Sequence, residues 1–229
     1  MVGLASGNIQ SFTTTKTLLN TIKPNDALAR KAEKTGFAAL FDRSETKPTS
    51  APTGHAASAD VSRQVRTGFL DWSKSVNGPA ADQLAAAMQP YDFVEIYDGI
   101  VRDFGLTAND TADAYTAYSL LNWMMANKAG DPSRADVMAV RSQIRQSLAE
   151  NAAFLKMSEA GRQEMAEVFI YNFVVRHGAY FGAVRRGDNG LIGRLSDAAQ
   201  TRFRDETGVD LRRTRLTTAG FRPKTKFMP

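Results

Sequence analysis

The sequence predicts an all-α protein: a compact multi-helix domain, preceded by a flexible N-terminal arm and closed by a short irregular C-terminal strap. Three observations predict it. Apolar residues recur every three or four positions in successive blocks, most clearly across residues 109–206. The blocks are bracketed by capping side chains and by glycine or proline. No alternating apolar–polar run is long enough to make a useful strand.

Taken in order, residues 1–24 are Thr/Asn-rich, with a weak apolar run at Leu18, Leu19 and Ile22. Asn25 and Asp26 can cap a helix carrying Ala27, Leu28, Ala32, Phe37, Leu40 and Phe41. Ser44 to Ser58 is rich in Ser, Thr, Pro, Gly and Ala, too poor in apolar area to pack, and reads as a mobile linker. Residues 1–59 therefore form the arm and linker, and residues 60–229 the helical domain. Val61, Val65, Phe69, Trp72 and Val76 make the first domain helix. Asn77-Gly78-Pro79 stops it and starts a second, since proline is well tolerated at a first helical position. Pro90 ends that one, and Phe93, Tyr97, Ile100, Val101 and Phe104 carry a third up to Gly105.

The next helix is the clearest. Thr107 to Asp110 supplies its caps, Ala114, Tyr118, Leu121 and Met125 its stripe, and Gly130 its stop. Trp123, Met124 and Met125 are read as core. Ser133 and Asp136 have capping-box spacing ahead of Val137, Val140, Ile144 and Leu148. Ser158 precedes a helix with the stripe Ala166, Phe169, Ile170, Phe173, Val174 and His177, which Gly178 and Gly182 loosen. Leu191, Ile192, Leu195, Ala199 and Phe203 give a last helix, closed by Gly208. From Leu211 to Phe221 apolar residues recur every five positions between arginines. The strap should therefore pack Leu211, Leu216 and Phe221 on the body and leave Arg212 and Arg213 in water.

Composition removes several function classes. There are no cysteines, which excludes disulfides, thiol catalysis, iron–sulfur clusters and Cys-ligated zinc. No run approaches 18 apolar residues, so no transmembrane helix is expected. Met1 to Asn8 lacks the basic and apolar regions of a signal peptide. The formal charge is +5, yet the chain from Arg185 onward holds 11 Lys/Arg against 5 Asp/Glu. Such asymmetry points either to an anionic partner or to a solvated basic tail.

No catalytic, cofactor-binding or metal-binding set emerges. His177 sits four residues after Phe173 on one stripe, and with His55 in the linker the two histidines do not make a metal site. Glu164, Glu167 and Tyr171 share a helix face and read as solvent-facing acids, because a helical di-iron site needs Glu-x-x-His pairs. Arg134, Arg141 and Arg145 lie near one face, and Arg202, Arg204, Arg212, Arg213 and Arg215 cluster later. These eight arginines are the candidate anion-binding surface, able to grip phosphates or an acidic protein, or else to form structural salt bridges.

A series of short motifs carries a resemblance. Asn109-Asp-Thr-Ala-Asp-Ala-Tyr115, Asn122-Trp123, Val140-Arg-Ser-Gln-Ile-Arg-Gln146, Arg162-Gln-Glu-Met-Ala-Glu167, Gly208-Val-Asp-Leu211 and Leu216-Thr-Thr-Ala-Gly-Phe221 follow in that order. The order resembles an uncharacterised all-helical domain family of proteobacterial, often exported, proteins, over residues 60–222. The resemblance implies a helical fold and a periplasmic or secreted location, with the cytoplasm as the other option, and no catalytic residues. The leading expectation is a non-enzymatic interaction or structural protein, with a protein partner or self-association through the arm. The alternative is a nucleic-acid-binding or filament/coat-like protein. Filamentous plant-virus coat proteins share the length, helicity, arm and basic residues, but their Phe-Asp-Phe-type signature is not matched.

Overall fold

A computed structural model describes residues 51–77 and 79–224. The arm helix expected around Ala27–Phe41, and the first part of the linker, residues 44–50, lie outside the described residues. The elements run α1 (Ala59–Asn77), α2 (Pro79–Met88), α3 (Phe93–Val101) with a 3-10 turn (Arg102–Phe104), α4 (Thr111–Asn127), α5 (Arg134–Ala149), α6 (Ala152–Leu155), α7 (Glu159–Arg185) and α8 (Asn189–Thr207). A second 3-10 turn (Leu211–Arg213) leads into β1 (Thr214–Thr217) and β2 (Gly220–Pro223).

The core forms around α4. Every residue of α4 except Trp123 and Asn127 is buried. The apolar stripe read from the sequence is thus one side of a helix enclosed on all sides, by α5, α7 and α8. Its small residues, Ala112, Ala114, Thr116, Ala117 and Ser119, let neighbouring helices approach closely. Larger groups fill the spaces between: Tyr115 stacks on Phe169 with centroids 4.5 Å apart, and Tyr118 lies against Phe169 and Phe203.

The helix starts follow their caps. Asp110 accepts the amides of Ala112 and Asp113, Ser133 and Asp136 form a reciprocal capping box, and Ser158 caps α7. One expected stop falls elsewhere, and two glycines expected to loosen a helix end do not interrupt it. The chain leaves α4 at Lys128, in the left-handed region at φ 51°, before reaching Gly130. Helix α7 continues through Gly178 and Gly182 to Arg185, because buried Ala179, Tyr180 and Ala183 hold its last turns. Packing there outweighs the ~1 kcal/mol that each glycine costs.

Residues 51–58, expected as linker, are tied to the body. Gly54 pairs with Asp110 as an isolated β-bridge, the His55 amide donates to Asn109 O at 3.0 Å, and Thr53 is buried. The α7 side chains Glu159, Arg162 and Gln163 hold the same segment through Ala56 N, Gly54 O and Ser58 N.

The C-terminal strap is a β-hairpin in which Leu216 faces Phe221. Leu211 and Phe221 are fully buried and Leu216 packs on the core edge. Gln143 of α5 fixes the hairpin as a strand would: Phe221 N donates to Gln143 Oε1 at 2.7 Å, and Gln143 Nε2 donates to Phe221 O at 3.1 Å.

Candidate functional site

Polar side chains converge most densely at the start of α4. Asp110 Oδ2 accepts from Thr53 Oγ1 at 2.8 Å and from Arg145 Nη2 at 2.5 Å. Asp113, with no solvent exposure, takes Arg141 through both Nε (2.5 Å) and Nη2 (3.0 Å), and also accepts the Thr107 amide. Burial pushes the Asp113 carboxyl above its ordinary range, against the pull of the Arg141 guanidinium. Here two acids, two arginines, a helix terminus and the 51–58 segment bond to one another, with Arg145 Nε left without a partner among the described residues. The arrangement locks elements together.

The eight candidate arginines are divided among different tasks. Arg141 and Arg145 sit in this lock. At the opposite end of α4, Arg202 donates to Asn122 Oδ1 at 2.9 Å. Arg212 donates to Ala126 O, Ser196 Oγ and Asp197 Oδ1. Arg212 is exposed, as expected, yet it is not free: the second 3-10 turn aims its Nε at the Ala126 carbonyl near the end of α4. Arg134, Arg204, Arg213 and Arg215 are exposed, with Arg204 beside Asp205 and Arg213 beside Asp210. The α4 ends that anchor the two groups stand roughly 15–20 Å apart along the helix, so the set does not gather into one patch.

Two other sequence readings are corrected. Glu167 is buried, accepting from Ser62 Oγ at 2.6 Å and Gln163 Nε2 at 2.8 Å, because α1 covers that face of α7. Trp123 is half-buried, donating from Nε1 to Thr214 O under the hairpin. His55 is half-buried too, and burial lowers its pKa. Among the described residues, no group of three or more His, Asp or Glu is placed to hold a metal.

An apolar cleft opens between α3, its 3-10 turn, α4, the start of α5 and the last turns of α7. Its volume is about 70 Å³. Val101, Leu121, Met124 and Phe173 make the floor, and Ile100, Phe104, Pro132 and Phe181 the rim. The ionisable groups lining it are His177 and Asp131. His177 lies between Phe173 (5.4 Å) and Phe181 (4.5 Å), and burial lowers its pKa to about 4. At neutral pH the cleft therefore presents an uncharged imidazole in a wall of hydrocarbon. The sequence signal for it was a ladder at four-residue spacing, Phe173, His177 and Phe181, which the two glycines obscured.

The model of a family of unknown function, DUF6683, matches residues 7–224. The chain belongs to this family. The match begins well before residue 60, so the DUF6683 unit takes in the arm as well as the helical body. No curated protein and no solved structure matches the chain.

Proposed function

We propose that this DUF6683 member is a non-enzymatic interaction protein, whose cleft beside His177 receives one apolar side chain of a protein partner. The cleft's size and lining carry the reading. Small-molecule sites run to ~300–1,000 Å³ and add several polar groups that fix orientation. A cleft of about 70 Å³, almost entirely apolar, suits a single leucine or phenylalanine anchor. The densest polar cluster, at the α4 start, is absorbed in caps and ion pairs, which also favours a scaffold over a catalyst. An extracytoplasmic location fits the resemblance and the absence of cysteine, and fractionation of the source cells tests it.

Phe181→Glu tests the interaction. Phe181 is half-exposed at the rim, so a carboxylate there should leave the fold intact and repel an apolar anchor. Quantitative capture with wild type and variant should show a defined partner lost at least ~10-fold in the variant. Equal capture of every partner would remove the cleft from the account.

A further inference from the structure

The three-helix junction of α4, α7 and α8 encloses an excess of positive charge. Arg176 of α7 is 2% exposed. Its Nε, Nη1 and Nη2 make no hydrogen bond to any described residue. The guanidinium carbon lies 5.3 Å from the centre of the Tyr118 ring. A second guanidinium, Arg202 of α8, comes to the same place with its side chain 11% exposed. Among the described residues, one carboxylate faces the pair. Glu206 Oε2 accepts the Tyr118 hydroxyl at 2.7 Å, and Oε1 stands 3.9 Å from Arg202 Nε, beyond hydrogen-bond reach. Burial and the neighbouring Arg202 lower the Arg176 pKa to about 10, which still leaves it charged at neutral pH. Among the described residues, two buried cations therefore face one buried anion.

An uncompensated charge in a protein interior is costly, and a guanidinium with three unpaired nitrogens adds the cost of its unmade hydrogen bonds. Asn172, one turn before Arg176, carries an unpartnered Oδ1, yet a neutral amide supplies no counter-charge. We propose that the Arg176–Arg202 pair is a binding site for a small monovalent anion, a halide or a small carboxylate, which completes the charge balance of the junction. Tyr118 packs under Arg176 as an apolar platform, and Asn122 holds Arg202 from the other side. Arg202 and Glu206, the least buried members, give the anion its way in from the α8 surface.

The test uses the full chain, with chloride or acetate replacing gluconate at constant ionic strength. Gluconate serves as the bulky reference anion. Melting temperature should rise saturably, by roughly 5 °C or more at a hundredfold excess over Kd. Chloride and acetate arms distinguish a halide from a carboxylate ligand. Arg176→Met, which keeps the volume and removes the charge, should abolish the response. Glu206→Gln keeps the acceptor for Tyr118 and removes the competing negative charge, so it should tighten binding at least about tenfold. That arm decides the matter alone if Arg176→Met does not fold, because lost stability by itself does not strengthen anion binding. An unresponsive wild type, an equal response in Arg176→Met, or unchanged affinity in Glu206→Gln would each overturn the proposal.

Discussion

Gln143 shows how much one side chain can hold. Its amide takes both the N–H and the C=O of Phe221, so a residue on a helix does the work of a neighbouring strand. Gln143→Ala removes the acceptor of the Phe221 N–H and one of the donors to Phe221 O, which Arg222 Nη1 also reaches at 3.2 Å, and should cost about 1–3 kcal/mol by denaturant titration. Gly220 next door sits at φ +86°, and an added Cβ would overlap Gln143 Oε1 at 2.0 Å. Gly220→Ala should therefore cost at least about 2 kcal/mol. A loss under 0.5 kcal/mol for either would show that the hairpin is anchored by other means. His177 sets a pH signature at the same scale. Its folded pKa, about 4, lies below the ordinary 6.5. Between those values the unfolded chain binds a proton that the native state refuses, so stability falls as pH drops through that window and is unaffected above it. The full loss is on the order of 3 kcal/mol. Replacing His177 by Phe should flatten the slope between pH 6.5 and 4, and an unchanged slope would mean that the imidazole is solvated. Gln143 and Arg176 were both illegible in the sequence. A glutamine on a helix and an arginine inside an apolar run show their meaning only once a hairpin and α8 are packed against them.

The C-terminal strap is the element where sequence and structure can be compared most closely. The five-residue spacing of Leu211, Leu216 and Phe221 correctly indicated packing on the body, since a solvated arm has no use for three large apolar groups. Removing residues after Gly208 should lower the melting temperature, with Leu211 and Phe221 each contributing about 1.5–3 kcal/mol of burial. An unchanged melting temperature would leave the strap without a stabilising role. The arginines between them were harder to read. Arg212→Ala loses bonds to Ala126 O, Ser196 and Asp197 and should cost about 1 kcal/mol or more. Arg213, 83% exposed beside Asp210, should cost less than about 0.5 kcal/mol. Parity between the two would contradict the anchoring role of Arg212. Cap-bounded helices were legible because Asp110, Ser133 and Ser158 act locally, within three residues of their targets. The run through Gly178 and Gly182 was not, because distant packing decides it.

At the scale of the whole molecule, α4 is the axis on which everything else is hung. Its start binds the 51–58 segment and α5, its middle floors the cleft and one side of the arginine junction, and its end is closed by Arg212 and the hairpin. The all-α class was legible from helical periodicity, since it depends on the spacing of apolar residues alone. The candidate site was not, because a cleft is a property of several helices at once. Division of the arginines also bears on the nucleic-acid alternative. A phosphate-gripping surface should bind single-stranded RNA with a steep loss between low and moderate salt. With Arg141, Arg145, Arg202 and Arg212 each bonded to groups of the protein itself, no such binding is expected.

The cleft is proposed to receive an apolar side chain from a protein. A photo-crosslinking amino acid placed at Phe181 in the full chain tests it most directly, with one at exposed Arg204 as the control. After irradiation in source cells, mass spectrometry of the adducts should place the Phe181 crosslink on one short protein segment, at an apolar residue, with none from Arg204. Adducts equally spread between the two positions, or confined to small molecules, would contradict the account.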